Sequence, residues 1–150
     1  MRRVEFITSA FRGNASVHES QAYLQILLHS LVVLDLAYLR FHPQTPELYR
    51  SGVRYHREPQ GYEQWLTVPC VVEQRWGDCE DLAAWRVAEL RLRGVDAWPC
   101  FHWRKFKTAL VYHIVVCRPD GVMEDPSRVL GMGWDEAWKA VLSFPALKVG

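Results

Sequence analysis

One stretch of the sequence, residues 76–83, has the residue types needed for nucleophilic chemistry: Trp-Gly-Asp-Cys-Glu-Asp-Leu-Ala. Asp78 is a good helix N-cap, because its carboxylate can accept from the unpaired N–H groups of a first helical turn. Cys79 is then the first helical residue, where those donors and the positive end of the helix dipole favour a thiolate. The stretch predicts a reactive cysteine at a helix tip. The alternative is a buried cysteine that happens to begin a helix.

Three acids surround this cysteine, and their negative charges disfavour the thiolate. Asp78 caps the helix, and Glu80 and Asp81 lie in its first turn, where acids suit the helix dipole. Nearby negative charge raises the pKa of a thiol, so a reactive Cys79 needs a cation, usually a histidine. With such a partner we expect a partly exposed thiol that ionises well below the roughly 8.5 of a free cysteine.

A predicted β-hairpin supplies a histidine and an aspartate on one face. Residues 109–117 are rich in Val, Ile and Tyr and predict a strand, and Pro-Asp-Gly at 119–121 predicts a three-residue loop with a bulge. That loop places Val115 opposite Asp125, whereas a two-residue loop would turn Asp125 to the other face. Because side chains alternate with period two, His113 shares the face of Asp125 as its diagonal neighbour, roughly 7–8 Å away between backbones.

The three residues together suit acyl transfer through a thioester. Cys79 attacks a carbonyl, His113 moves the proton, and Asp125 orients the imidazole. The backbone N–H of Cys79 faces the developing oxyanion. Taken alone, His113 reads as a core histidine and Asp125 as a turn acid; their order, element types and facing favour the joint, functional interpretation.

The runs 77–83, 112–113 and 124–126 resemble the transglutaminase-like branch of the papain-like cysteine superfamily. The Gly-Asp-Cys-Glu-Asp motif is similar to that of bacterial transglutaminase-like cysteine proteinases. The resemblance covers about residues 75–126 and implies Cys79 as nucleophile, His113 as base and Asp125 as orienting acid. It also implies a central helix, opened by the cysteine, on an antiparallel sheet. Small proteins of this appearance also occur in bacteriophage genomes.

The resemblance suggests two further sets of residues. An upstream residue of the superfamily donates to the oxyanion, and Gln74 and Trp76 are the candidates for that role. Some proteinases of the group bind calcium near the acids that follow the cysteine, which makes Asp78, Glu80 and Asp81 weak calcium candidates. Three acids on one turn are more often capping groups, so we expect no cofactor.

The surrounding elements predict an α+β fold in a single domain, residues 1–150. A capping box at Ser16 and Glu19 begins a long, widely apolar helix, Val17 to Phe41. The cysteine helix runs to Arg93 and stops at Gly94, with Glu89 and Arg93 as an i,i+4 ion pair. Short strands are expected at 67–72 and 95–103, with a turn or loop at 104–108.

Composition, charge and the start of the sequence argue against several classes of protein. The net charge of +1 argues against a nucleic-acid surface. Asp35 and His29 interrupt the long helix, so we predict no membrane span and instead a helix packed on both sides or an oligomer face. The start of the chain carries no export signal, so we expect a reduced, cytoplasmic protein in which Cys70, Cys100 and Cys117 are small core residues in strand-like surroundings. The alternative is that the four cysteines form two disulfides.

We therefore expect a cysteine peptidase or amidase that acts on a protein or peptide substrate. A protein-glutamine transglutaminase is the alternative within the class, although the sequence reveals no second site for an amine. The alternative from another class is a non-catalytic interaction or assembly module, phage-encoded and virion-associated, that uses the helix Val17 to Phe41 as its contact surface.

Overall fold

The computed structural model describes residues 17–58, 63–106, 109–133 and 147–148. The first element, α1 (Val17–Phe41), begins and ends where the sequence predicts. Its Ser16 capping residue lies outside the described residues. The fold is α+β, with a central helix between α1 and an antiparallel sheet.

The central helix is α3 (Cys79–Leu92), and it ends at Arg93 before Gly94, whose φ of +79° suits glycine. It is buried on most sides, as predicted. One side packs against α1 and the sheet, through Ala83 and Val87. The other side contributes Trp85 to a second cluster with Leu48, Val53, Val68 and Val71 among its members.

In the described ranges the main sheet has four strands: β3 (Trp98–Phe106), β4 (Ala109–Cys117), β5 (Met123–Glu124) and β6 (Leu147–Lys148). Their order is β5-β4-β3-β6, and the three pairings are antiparallel. Val116 pairs with Glu124 and Cys117 with Met123, which is the register predicted from the 119–121 turn. The turn sequence therefore determines which side chains share a face with His113.

Residues 67–72, predicted to hold a strand, are mostly helical. They contribute to α2 (Val68–Gln74), which follows Thr67 at the N-cap and has Pro69 in its first turn. Both are helix-start signals that the run of valines concealed. A 3₁₀ helix, Leu48–Arg50, precedes β1 (Arg54–Tyr55), which pairs in parallel with β2 (Trp76–Gly77).

Two predictions about the hairpin and the central helix are wrong in detail. Strand β3 starts at Trp98 and continues to Phe106, so 104–106 are strand; the predicted turn residues 107–108 lie outside the described residues. Glu89 pairs with Arg86 at 3.1 Å instead of with Arg93, which reaches Glu47 at 2.6 Å. Glu89 also accepts from the Leu48 N–H, so the 3₁₀ helix holds it in place.

Cys100 and Cys117 form a disulfide, which corrects their assignment as separate core thiols. They lie on neighbouring strands with Cα atoms 6.2 Å apart, because Cys100 pairs with Val115 and Cys117 is diagonal to it. Cys70 lies in α2 and not in a strand, and it is a free thiol, as is Cys79.

Helix α1 is the one described helix that is long and apolar enough to cross a membrane by length and composition. In this fold one side of it is packed against α3. Asp35 is fully buried on that side and accepts from the Val68 N–H at 2.8 Å, which joins α1 to α2.

Candidate active site

The first turn of α3 is built from backbone and carboxylates. Asp78 is the N-cap in extended conformation, and Asp81 completes a capping box by accepting from the Asp78 N–H at 3.2 Å. The other Asp81 oxygen accepts from the Leu66 N–H at 2.7 Å. A Cβ on Gly77 would lie 3.2 Å from Asp81 Cβ and 3.3 Å from Leu82 Cδ2, so the chain enters the helix where only glycine fits well.

The Cys79 thiol is the first helical side chain, as predicted, but it is only 8% exposed. Its Sγ lies 3.2 Å from Glu80 Oε2. Burial raises the pKa of the Cys79 thiol, the charges of Glu80 and Asp78 and the hydrogen bond to Glu80 raise it further, and the Ile114 backbone amide lowers it. The expectation of an exposed thiol with a lowered pKa is therefore wrong, because burial and the acids outweigh the helix end.

The thiol lies beside the backbone of β4 at the residue that follows His113. Arg118 donates its N–H to Val122 across the β4–β5 pair, and alternate N–H groups of a strand point the same way, so the Ile114 N–H points to that edge too. Strand β5 ends at Glu124, opposite Val116, so within the described part of the chain no strand pairs with this edge of β4 at Ile114. The tip of α3 approaches that edge, where the Ile114 amide acts on the Cys79 sulfur.

His113 and Asp125 form the pair that the hairpin register predicts. His113 Nε2 lies 3.0 Å from Asp125 Oδ2, and the imidazole is 1% exposed. Asp125 is also the N-cap of α4 (Pro126–Val129), where it accepts from the Arg128 N–H at 3.3 Å. The Arg128 guanidinium lies 3.2 Å from the same carboxylate. Asp125 is therefore held from two sides, which suits a residue that orients an imidazole.

The described contacts join the candidate residues in two groups, His113 with Asp125 and Cys79 with Glu80. The two groups are neighbours at residues 113–114 of β4, because His113 belongs to one group and the backbone of Ile114 acts on Cys79 in the other. His113 also acts on Asp78: burial raises the pKa of the Asp78 carboxyl, while hydrogen bonds to Glu80 and the charges of Arg57 and His113 lower it. The imidazole is thus close enough to the first turn of α3 for its charge to matter there.

The possible metal ligands differ from the predicted calcium set. Ligand atoms of Asp78, Cys79 and Glu80 lie within 4.8 Å of one another, and all three residues are buried. Asp81 is not part of this group, since its oxygens accept from Leu66 and Asp78. Calcium prefers six to eight oxygens, and a thiol beside two carboxylates suits a softer ion better. The arrangement fits calcium poorly.

The candidate oxyanion donors contact each other. The Gln74 side-chain amide donates to the Trp76 carbonyl oxygen at 2.8 Å, and the Trp76 ring packs against His56 with centroids 5.2 Å apart. The Gln74 amide is therefore engaged with backbone in this structure. The Cys79 N–H at the helix tip is the donor that the geometry of α3 itself provides.

Four residues around the candidate site are not indicated by the sequence as site residues. His102 pairs directly with His113 across β3 and β4 and is 2% exposed. Tyr112 donates to Glu63 Oε2 at 3.3 Å, and burial, with the charges of Glu80 and Cys79, raises its pKa. Burial also raises the pKa of Glu58 to about 7. The strand register gives the position of His102, whereas long-range packing brings the two glutamates near.

Comparison with protein-family models, with curated proteins and with solved structures found no match to this chain.

Proposed function

We propose that this protein is a cysteine-dependent acyl-transfer enzyme, a peptidase or amidase with a papain-like, transglutaminase-like core. Cys79 is the nucleophile, His113 the general base and Asp125 the orienting acid. The observation that carries the proposal is the 3.0 Å contact between His113 Nε2 and Asp125 Oδ2, on the strand whose next residue, Ile114, acts on the Cys79 thiol.

The raised pKa of the thiol determines how the reaction begins. A neutral S–H must lose its proton as it attacks, so His113 acts as a general base, as in serine hydrolases, and not as one half of a resting ion pair. Because Asp125 engages Nε2, Nδ1 is the nitrogen that takes the proton. Asp125 then stabilises the imidazolium that forms.

The covalent steps follow from this arrangement. Cys79 Sγ bonds to the carbonyl carbon of the substrate, and the carbonyl electron pair moves to an oxyanion at the N–H of Cys79. His113 returns its proton to the leaving nitrogen as the C–N bond breaks, which leaves a thioester. Water attacks the thioester, with its proton passing to His113, and the carboxylic acid is released as the thiol is restored.

A transglutaminase is the alternative in which an amine replaces water in the last step. The two are separated by their products when peptide libraries are incubated with the protein and analysed by mass spectrometry. Chain cleavage identifies a peptidase, and loss of ammonia with cross-linking identifies acyl transfer to an amine. The Cys79→Ser variant should abolish either product, whereas Cys70→Ser, which replaces the other free thiol, should leave it unchanged.

A non-catalytic module is the second candidate, and the burial of the thiol favours it. Cys79 is 8% exposed and lies among acids that oppose its ionisation. In that case neither product forms with any substrate, and an electrophilic acyl probe labels Cys79 no faster than it labels Cys70. Labelling of Cys79 that depends on His113 excludes this candidate.

A further inference from the structure

The outer face of α1 carries small and apolar residues on both sides of a polar centre, and charges at both ends. This face, on the side of the helix away from α3, comprises Glu19, Ala22, Ile26, His29, Ser30, Val33, Ala37 and Arg40. Ile26 is 66% exposed and Val33 49% exposed, while Leu28 and Val32 on the opposite side are fully buried. Exposed apolar side chains grouped on one face of a helix mark a contact surface.

We propose that the outer face binds a second copy of this chain, with the two α1 helices packed antiparallel about a two-fold axis between His29 and Ser30. This proposal is independent of the enzymatic one. In that arrangement Ile26 lies opposite Val33 of the second copy, and by symmetry Val33 lies opposite Ile26. A two-fold interface requires a surface that is complementary to itself, and this one is.

The remaining positions agree with the same axis. Ala22 faces Ala37 of the second copy, and two small residues on either side of the centre let the helix backbones approach closely. Glu19 faces Arg40 of the second copy, so that each end of the interface holds a pair of opposite charges. The reverse, parallel arrangement would place Glu19 beside Glu19 and Arg40 beside Arg40, and like charges oppose it.

The surface relief of α1 fits a side chain from a second helix. A depression lies on this face, lined by Ala22, Gln25, Ile26, His29 and Ser30. The first four have the spacing i, i+3, i+4, i+7, which forms the hole of a knobs-into-holes contact. With the axis between His29 and Ser30, the residue that reaches this hole is Val33 of the second copy.

A second copy fits this face better than a lipid surface does. Helices that lie on membranes carry Lys and Arg along their polar face. Helix α1 carries no Lys and one Arg, and the charges of Glu19 and Arg40 lie at the two ends of the outer face. The opposite charges at the two ends of the outer face match an antiparallel second copy, whereas binding to a bilayer does not require opposite charges at the two ends.

The test is sedimentation of the full chain in detergent-free buffer over a range of concentrations. A reversible dimer is expected. Ile26→Lys places two charges in the centre of the interface and should abolish the dimer, while Val129→Lys, at a position 61% exposed outside α1, should not. A monomer at every concentration overturns the proposal, and so does a dimer that Ile26→Lys leaves intact.

Charge exchange tests the antiparallel register. Glu19→Arg or Arg40→Glu alone places like charges opposite each other at both ends and should weaken the dimer about tenfold, whereas the double variant should restore it. Both changes oppose the helix dipole, so recovery in the double variant cannot come from a more stable helix. Arg50→Glu, an exposed change outside α1, is the control. A double variant as weak as the singles overturns the register, and with it the proposed interface.

Discussion

At the scale of single residues, Glu80 has the largest electrostatic effect on the candidate nucleophile. Its carboxylate is 1% exposed and 3.2 Å from Cys79 Sγ, and its charge and hydrogen bond both raise the thiol pKa. Glu80→Gln removes the charge that this carboxyl carries once it is ionised, so we predict that the pKa of Cys79 falls and that iodoacetamide alkylates Cys79 faster above neutral pH. Asp120→Asn, at an exposed carboxylate, serves as control. An unchanged pH profile for Glu80→Gln would mean that burial alone sets the thiol pKa.

A second prediction at the scale of single residues concerns Gly77. A methyl group there meets Asp81 and Leu82 at 3.2–3.3 Å, and both neighbours are held, one by the capping box and one by the core. We therefore expect Gly77→Ala to lower the free energy of unfolding by about 1–3 kcal/mol in urea titrations. Gly133→Ala, where a Cβ meets nothing within 4 Å, should have little effect. Equal stabilities of the two variants would contradict this account of the helix entry.

At the scale of elements, local rules predicted most of what positions the candidate site. The N-cap at Asp78 and the glycine after Arg93 defined α3, and the 119–121 turn defined the register that brings His113 to Asp125. These features depend on a few neighbouring residues. Thr67 and Pro69 also mark the start of α2, although the β-branched residues beside them favour a strand.

Features that depend on packing between distant segments could not be predicted in this way. The Cys100–Cys117 bond requires the pairing of β3 with β4, and the raised pKa of the Cys79 thiol requires its burial among acids of the same turn. The ion pair of Glu89 differs from the predicted one for the same reason. Glu89 accepts from the Leu48 N–H, and Leu48 lies 41 residues away in the sequence. A helix-surface rule does not apply to a carboxylate that is buried.

The contact between α1 and α2 leads to a prediction about the effect of Asp35 on stability. It is fully buried, and its Oδ1 accepts from the Val68 N–H at 2.8 Å. Asp35→Ala leaves that buried donor without its acceptor, so we expect a loss of about 1–3 kcal/mol in the free energy of unfolding. Asp35→Asn keeps an oxygen and should lose less. If both variants unfold at the same urea concentration as the parent protein, the bond contributes nothing to stability.

At the scale of the whole molecule, the buried carboxyl groups predict an unusual pH dependence of stability. Burial raises the pKa of Asp35, Glu80 and Asp81, and raises that of Glu58 to about 7. Unfolded carboxyl groups titrate near about 4, so between there and pH 7 the folded protein binds more protons than the unfolded chain. Stability must then fall as pH rises through this range.

Chemical denaturation at several pH values measures this directly. We expect the free energy of unfolding to be larger at pH 5 than at pH 7.5, with each additional bound proton contributing about 1.4 kcal/mol per pH unit in the range where it titrates. Glu58→Gln should reduce the slope near neutral pH, where that group titrates. Stability that rises from pH 5 to 7.5 would show that the folded protein holds these carboxyl groups ionised.

The most direct measurement of the central claim is the formation of an acyl adduct on Cys79. The protein is incubated with an activated acyl ester, and the rate of labelling of each cysteine is followed by peptide mass spectrometry. We predict labelling of Cys79 faster than of Cys70, strongly slowed in His113→Ala and partly slowed in Asp125→Asn, because the imidazole takes the thiol proton and Asp125 holds the imidazole. Labelling of Cys79 no faster than of Cys70, and unchanged in His113→Ala, would contradict the catalytic assignment.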